Sequence, residues 1–303
     1  MSGYHEANTI NLLTLNVQSG GYNSYVPEHE LHVPAPPRPE REQAIQTLVG
    51  EQQQQHAVDT AVFPDAYLWG ETYGSEQGIA NFFGFNRAAY TRLGDERLAG
   101  LGRAGVGIAI ATNQPVAQVK ELDLGKRKGL SVILDVGDGV EIAGAYLDDM
   151  DEHERVLQAM ALVAGLEKDV RKTIIAGDMN GLRADMSGAS LGVRVRDMGV
   201  RALAKALPMA AKLPLPKGKA ETVAALADSV YGMTHSRRVI KYITREGFID
   251  ADAGQKRPTA KSSLPIFGID YIFHTKDVRA DRVEIVDGRG VSDHNGLRAR
   301  LTV

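Results

Sequence analysis

Residues 172–180 read Lys-Thr-Ile-Ile-Ala-Gly-Asp-Met-Asn. The apolar run is short and ends at a glycine, which is typical of a buried strand. Two polar side chains, Asp178 and Asn180, follow directly. Because a sheet fixes the backbone at the end of its strands, such a position can hold polar groups in a defined geometry. The sequence therefore predicts a strand that carries functional side chains at its C-terminal end.

Several other segments repeat this arrangement of an apolar strand followed by a polar residue. The further predicted strands are Thr9–Val17, Ala66–Trp69, Gly105–Ala111, Leu130–Val136, Val140–Tyr146, Gly268–Phe273, Arg282–Val286 and Asn295–Val303. The polar residues at strand ends are Asn16, Glu71, Asp178 with Asn180, Asp270, and Asp293 with His294. Each alone is more often a turn residue or a solvated side chain. Only the whole set indicates a site.

The clearest predicted helix covers Asp151–Asp169. Its apolar residues recur at the spacing of one buried face, which the pattern assigns to Val156, Leu157, Met160, Val163 and Ala164. A polar helix is expected over residues 40–55, and three more over 200–211, 221–230 and 236–244. Alternating strands and helices of this kind favour an α/β fold.

Composition excludes several classes of protein. The chain has 303 residues, of which 43% are hydrophobic and 24% charged, as in ordinary globular proteins. It has no cysteine, which excludes disulfides, a cysteine nucleophile and thiolate metal sites. No apolar run approaches the roughly 18 residues of a membrane span. The first residues lack the pattern of a signal peptide, so we expect a cytoplasmic protein without membrane association.

Charge is distributed unevenly along the chain. The net charge is −3, but residues 194–261 carry +8 and the remainder −11. A basic segment of this kind can contact phosphates, although solvated helix faces give the same pattern. Arg237 and Arg238 are the candidate substrate-binding pair within it. Solvent-exposed side chains remain the alternative interpretation for both.

Taken in order, the polar strand ends resemble the endonuclease/exonuclease/phosphatase superfamily, which includes deoxyribonuclease I and exonuclease III. The matching pieces are Leu15-Asn16-Val17, Trp69-Gly70-Glu71, Ala176-Gly177-Asp178-Met179-Asn180, Ile269-Asp270-Tyr271-Ile272 and Ser292-Asp293-His294. The resemblance implies a single domain over residues 1–303, folded as a four-layer α/β/β/α sandwich of two packed mixed sheets flanked by helices. A basic helical insertion at about residues 181–268 has no motif of the family, and we expect it to select the substrate.

The resemblance also implies a metal site. Glu71 is expected to be the principal ligand, with Asn16 beside it and Asp293 as a further ligand to the metal or to water. Oxygen ligands of this kind suit Mg²⁺, with Mn²⁺ as the alternative ion. A divalent cation offsets the charge of a phosphodiester and stabilises its leaving group.

Four further residues carry catalytic roles by the same resemblance. Asp178 is expected to position or deprotonate the attacking water, and Asn180 to orient that water or the phosphate. His294 is expected to contact the scissile phosphate, while Asp270 accepts a hydrogen bond from its other ring nitrogen and fixes its tautomer.

One position separates branches of the family. Most branches place histidine where this chain has Tyr146, whereas exonuclease III and the apurinic endonucleases have tyrosine. Tyr146 can donate a hydrogen bond to the phosphate or the water, or it can be a core aromatic residue. Asp148 and Asp149 follow where that branch has Pro and Asn or Gln. A carboxylate there repels a phosphate unless it holds a second metal or points away.

These observations favour a Mg²⁺-dependent phosphodiesterase, most simply a nuclease whose substrate is DNA or RNA. The alternative enzyme is a phosphohydrolase of a small phosphorylated metabolite or a phospholipid head group. A non-catalytic binding protein on the same scaffold is the alternative of another class. Nothing in the sequence indicates a protein partner. The retained carboxylates and histidine argue against the non-catalytic interpretation.

Overall fold

The computed structural model describes residues 8–17, 38–96, 99, 105–149, 151–181, 237–253, 259, 269–288, 291–292 and 294–303. Within these residues the chain forms two six-stranded sheets. The strands are β1 (Thr9–Thr14), β2 (Thr60–Pro64), β3 (Arg87–Arg92), β4 (Gly107–Thr112), β5 (Val116–Asp123), β6 (Lys128–Leu134), β7 (Val140–Tyr146), β8 (Lys172–Asp178), β9 (Ile249–Asp250), β10 (Asp270–His274), β11 (Arg279–Val286) and β12 (Gly296–Thr302).

Both sheets are mixed. The first has the order β11-β12-β1-β2-β4-β3, and the second has the order β5-β6-β7-β8-β10-β9. The pairs β1–β2 and β7–β8 are parallel, and the other pairs are antiparallel. The described helices are α1 (Arg38–His56), α2 (Trp69–Tyr73), α3 (Glu76–Phe83), α4 (Glu152–Gly165) and α5 (Arg237–Arg245).

Three apolar clusters define four layers. The largest lies between the sheets and joins β1 side chains such as Leu12 to β7 side chains such as Ile142. A second packs α1 and α3 onto the outer face of the first sheet. A third packs α4 and α5 onto the outer face of the second sheet. Burial of both faces of both sheets explains their nearly continuous apolar strands, and the predicted α/β/β/α sandwich is confirmed.

Most predicted elements are present with small shifts at their ends. The hairpin β6–β7 turns at Gly137 and Gly139, whose backbone angles φ are 60° and 92°. L-residues with a side chain rarely adopt such angles, so glycine suits both positions. The helices expected over 200–211 and 221–230 lie outside the described residues, as does most of the expected insertion.

The predicted strand Ala66–Trp69 is wrong. The second strand is Thr60–Pro64, and Trp69 begins the short helix α2. Leu68 has a left-handed backbone with φ 54°, which cannot continue a strand. The turn is nevertheless apolar because it packs against the sheet. Trp69 lies against Phe63 and Phe83 on the outer face of the first sheet.

The buried face predicted for α4 is also wrong in part. Leu157 and Met160 are each 44% exposed, whereas Glu154, Arg155, Gln158, Ala159 and Leu162 are buried. The polar members of this face contact the loops at the sheet ends. The Asp148 N–H, for example, donates to Gln158 Oε1 over 2.7 Å. The helix therefore faces the sheet with the residues that support the candidate site.

Candidate active site

Three side chains lie together: Asp178 at the end of β8, Asp270 at the start of β10, and His294 just before β12. One ligand atom from each of Asp178, Asp270 and His294 lies within 4.8 Å of the others, and all three residues are buried. Asp178 and Asp270 occupy paired positions on antiparallel β8 and β10. They share the face of the sheet that carries Ala176 and Ile272 into the core between the sheets. The cluster thus lies at one rim of the sandwich, between the two sheets.

Asp270 and His294 form a hydrogen-bonded pair. His294 Nδ1 lies 2.9 Å from Asp270 Oδ2. An ionised carboxylate only accepts hydrogen bonds, so Nδ1 is the donor in this pair. The backbone N–H of Asp270 donates to Thr259 Oγ1, which fixes the start of β10. Asp270 Oδ1 is buried and has no hydrogen-bond partner among the described residues.

Asp178 is held by groups from both sheets. Its Oδ2 accepts a hydrogen bond from Asn16 Nδ2 over 3.0 Å, and its Oδ1 accepts one from the Asn180 N–H over 2.8 Å. Burial, followed by the nearby Asp270, raises the pKa of Asp178 to about 7, against opposing contributions from His294 and these hydrogen bonds. A carboxyl with this pKa can exchange a proton near neutral pH.

Asn180 adopts a left-handed backbone with φ 47°, a conformation that asparagine tolerates better than most residues. Three hydrogen bonds hold it there. Its N–H reaches Asp178, its Nδ2 donates to Leu147 O over 2.9 Å, and its carbonyl accepts from the guanidinium of Arg155. The loop after β8 is therefore fixed to the loop after β7.

Glu71 does not join this cluster. It lies on α2 with its side chain 42% exposed and forms an ion pair with Arg92, at the end of the edge strand β3. The strand assignment is the reason, because the true second strand ends at Pro64, seven residues before Glu71.

Asp65 is the acidic residue that the sequence analysis missed. It follows β2 directly, is 3% exposed, and has a left-handed φ of 63°. The N–H groups of Leu15 and Val17 donate to Val62 O and Pro64 O, each over 3.1 Å. These bonds extend the parallel pairing past β1, so that Asn16 lies opposite Pro64 and Asp65 follows directly after it. The signal in the sequence is the apolar run Thr60–Pro64 ending in a carboxylate.

Tyr146 ends β7 directly beside Asp178, its partner in the parallel register of β8. It is 6% exposed and packs at the end of the core between the sheets. The following Asp148 and Asp149 both form ion pairs with the buried Arg127. Asp151 caps α4 by accepting the N–H groups of His153 and Glu154.

The structure says less about the three remaining candidate site residues. Asp293 lies outside the described residues. Arg237 begins α5, and Arg238 follows with an exposed side chain. Their phosphate contacts remain predictions.

The cluster has the chemistry of a divalent-cation site. Carboxylates from Asp178 and Asp270, with the Asn16 amide that bonds to Asp178, offer the hard oxygen donors that Mg²⁺ prefers. The buried Asp270 Oδ1 has no hydrogen-bond partner among the described residues, and burial raises the pKa of Asp178. A bound cation would give Asp270 Oδ1 a partner and favour the ionised form of Asp178. Asp65, just after β2, is a further candidate for the same ion.

Comparison with known proteins gives one family. The sequence model of the Endonuclease/Exonuclease/phosphatase family matches residues 13–294. No curated protein matches the chain. In the described part of the chain, none of the helices combines the length and hydropathy needed to cross a bilayer.

Solved structures share the fold at low sequence identity. An endonuclease/exonuclease/phosphatase from Beutenbergia cavernae is 15% identical with a TM-score of 0.61, covering 97% of this chain and 72% of the other. Danio rerio TDP2 in complex with a single-strand DNA product is 13% identical with a TM-score of 0.55, covering 98% and 100%. A mannosyl-6-phosphatase from Bacteroides thetaiotaomicron is 12% identical with a TM-score of 0.55, covering 97% and 100%.

Proposed function

Because the chain belongs to the Endonuclease/Exonuclease/phosphatase family, we propose that it is a Mg²⁺-dependent phosphodiesterase that acts as a nuclease on DNA or RNA. Hydrolysis of a phosphoester is the chemistry that the family name describes. The metal, the phosphodiester and the nucleic acid are the proposed refinements. One observation carries the metal-dependent hydrolysis: Asp178, Asp270 and His294 converge within 4.8 Å at a buried rim.

The residues divide the reaction between them. Asp178 takes the proton of the attacking water, since its pKa of about 7 suits a general base at neutral pH. Asn180 orients the water or the phosphate. His294 presents Nε2 to the phosphate, held in that tautomer by Asp270. Tyr146, beside Asp178 on the neighbouring strand, donates a hydrogen bond to the phosphate or the water.

We assign the cation to Asp65 and Asn16, with Asp293 as a further candidate, and not to Glu71. Asp65 is buried directly after β2, whereas Glu71 is exposed and neutralised by Arg92. When bound there, Mg²⁺ supplies charge stabilisation for the phosphate and the leaving oxygen. The protein residues supply orientation and proton transfer.

The choice of a polymer as substrate rests on charge. The segment 194–261 carries +8 within an acidic chain, as a surface that follows a phosphate backbone requires. The similarity in fold to TDP2, determined with a DNA product, is compatible with this choice. The equal similarity to a mannosyl-6-phosphatase keeps a small phosphorylated compound as the alternative substrate.

A substrate panel tests the proposal. The protein is incubated with Mg²⁺ and single-stranded, double-stranded or abasic DNA, RNA, or phosphorylated metabolites and head groups. Cleavage of nucleic acid supports the nuclease. Cleavage of metabolites alone, without salt-sensitive binding of nucleic acid, would replace it with the phosphohydrolase. Binding without cleavage of any substrate would favour the non-catalytic scaffold.

A further inference from the structure

Arg127 is fully buried next to the candidate site. Burying a guanidinium costs free energy unless its charge and its N–H groups are all paired. Its Nε donates to Asp95 Oδ2 over 2.7 Å. Its Nη1 donates to Leu147 O over 2.7 Å and to Tyr146 O over 3.3 Å. Its Nη2 donates to Asp149 Oδ1 over 3.1 Å. All three nitrogens of the guanidinium are thus hydrogen-bonded, Nε to Asp95 after β3, and Nη1 and Nη2 to residues 146–149 at the end of β7.

The same guanidinium also packs on the ring of Tyr146. Its central carbon lies 5.0 Å from the ring centroid, within the range of a cation–π contact. Burial opposes the charge on Arg127, but Tyr146 and the carboxylates around it outweigh burial and raise its pKa above the ordinary value. Arg127 therefore stays charged and restrains both the backbone and the ring of Tyr146.

The acidic turn, residues 147–149, creates an electrostatic difficulty for an anionic substrate. Asp148 and Asp149 follow Tyr146 within three residues, and Tyr146 lies beside Asp178. Arg155, whose carbonyl partner is Asn180, interacts electrostatically with Asp178 and with both aspartates. The acidic turn is therefore within electrostatic range of the site. Without compensation, its carboxylates would repel a phosphate.

Arg127 supplies that compensation. Its Nη2 lies 3.1 Å from Asp149 Oδ1 and 3.7 Å from Asp148 Oδ2. Asp149 retains 34% exposure of its side chain, whereas Asp148 is buried. Asp149 is therefore the more solvent-accessible of the two carboxylates that pair with Arg127.

We propose that Arg127 is a positioning residue that fixes Tyr146 at the site and screens Asp148 and Asp149, so that an anionic phosphoester can bind beside them. This inference rests on the proposed function, because it concerns how the same site tolerates its substrate. It assigns the acidic turn to an internal ion-pair cluster and not to a second metal ion.

Steady-state kinetics with a small anionic phosphodiester, bis(p-nitrophenyl) phosphate, test the proposal in Mg²⁺. Arg127→Met should raise KM at least about tenfold, since unscreened charges at close range in a protein interact strongly. Lys128→Met is the matched control, because the adjacent Lys128 pairs with Glu121 and is half exposed. The control should change KM less than about twofold, as expected for an exposed pair.

Rescue separates screening from a merely structural role. Adding Asp149→Asn to Arg127→Met should lower the raised KM at least about threefold, because it removes the unscreened charge without restoring a contact to the fold. Asp149 is 34% exposed and so is only partly screened by Arg127. Asp149→Asn alone, which suits the case in which Arg127→Met does not fold, should therefore lower KM by a smaller factor, about two- to threefold. High salt should shrink this difference by screening.

The outcomes distinguish the two claims. If the wild type hydrolyses a phosphoester but Asp149→Asn leaves KM unchanged both alone and in the Arg127→Met background, the inference is overturned and the proposed function stands. If the wild type hydrolyses no phosphoester in Mg²⁺, the proposed function falls and the inference falls with it. A lowered KM in Asp149→Asn that disappears at high salt supports both.

Discussion

Asn16 and Asp178, 162 residues apart in the chain, are joined by a hydrogen bond of 3.0 Å between Nδ2 and Oδ2. Asn16 extends β1 of the first sheet, and Asp178 ends β8 of the second. The bond therefore crosses between the sheets at the rim. It also helps to orient the carboxylate that has the raised pKa, because the other oxygen, Oδ1, is held by the Asn180 N–H. The geometry of the site depends on both sheets being in place.

The burial of Asp178 should destabilise the metal-free protein at high pH. Its pKa is about 7 in the folded chain, against 3.8 as the ordinary value. The unfolded chain loses this proton first, so the contribution of Asp178 to stability falls as pH rises from about 4 to about 7 and is constant above. In chelator, Asp178→Asn should therefore have a higher Tm than the wild type at pH 8, and a much smaller advantage at pH 5.

Thermal unfolding followed by circular dichroism measures this difference. Asp138→Asn is the control, because the Asp138 side chain is 98% exposed and should give no pH-dependent advantage. Excess Mg²⁺ should reduce the advantage of Asp178→Asn, since a cation stabilises the ionised wild-type site. Equal Tm values for the wild type and Asp178→Asn in chelator at pH 8 would show that the buried carboxylate is compensated by other groups.

Asp270 should act through His294. Asp270→Asn and His294→Ala should each lower kcat/KM at least about a hundredfold, in line with the loss of an oriented acid–base group. The double variant should be little worse than the worse single variant, because residues that act as a unit are not additive. Multiplicative losses in this double-mutant cycle would mean that the pair at 2.9 Å does not work as one group.

Asp65 and Glu71 provide a matched comparison of two carboxylates. Asp65→Asn should raise the Mg²⁺ concentration required for half-maximal activity at least about tenfold, because each oxygen ligand contributes to holding a hard cation. Glu71→Gln should change it less than about twofold, since its ion pair with Arg92 is exposed. Titration of activity with Mg²⁺ measures both. The reverse order of sensitivity would return the metal to Glu71.

The basic segment should determine how strongly polymer binding depends on salt. Binding of DNA or RNA by an Asp178→Asn variant should weaken steeply with salt, because each neutralised phosphate releases counterions. Substitution of Arg237 and Arg238 by Gln should flatten that slope and leave hydrolysis of a small phosphodiester unchanged. The control is the double substitution Arg279→Gln and Arg282→Gln, two exposed arginines of β11, which should leave the salt dependence unchanged. An unchanged slope would remove Arg237 and Arg238 from the substrate surface.

Sequence patterns predicted most of the strands, because strands that are buried on both faces read as plain apolar runs. The four-layer sandwich itself was predicted from the family resemblance. The patterns missed the strand Thr60–Pro64, because Pro64 and the following Asp65 look like the start of a turn. The neighbouring apolar residues Ala66–Trp69 looked more like a strand, but they form a turn and the start of α2. For the same reason the sequence analysis chose Glu71, and not Asp65, as the candidate metal ligand.

Helix α4 shows a second limit of pattern reading. Its apolar periodicity favoured a face containing Leu157 and Met160, yet both are 44% exposed. The buried face instead carries Arg155 and Gln158, which bond to backbone groups of Asn180 and Asp148. Polar residues face inward here because they satisfy the loops of the site, and hydrophobic periodicity carries no signal for that role. Hydrophobic periodicity therefore mispredicts a helix face whose buried residues are polar.

The central claim is that this rim hydrolyses phosphoesters only with a divalent metal and Asp178. The most direct measurement is the rate of hydrolysis of bis(p-nitrophenyl) phosphate by the wild type and by Asp178→Asn, in excess chelator and across a Mg²⁺ titration. We predict no wild-type activity in chelator, saturable activity in Mg²⁺, and a loss of at least about a hundredfold in Asp178→Asn at every Mg²⁺ concentration. Full wild-type activity in excess chelator, or equal rates for the two proteins, would contradict the account.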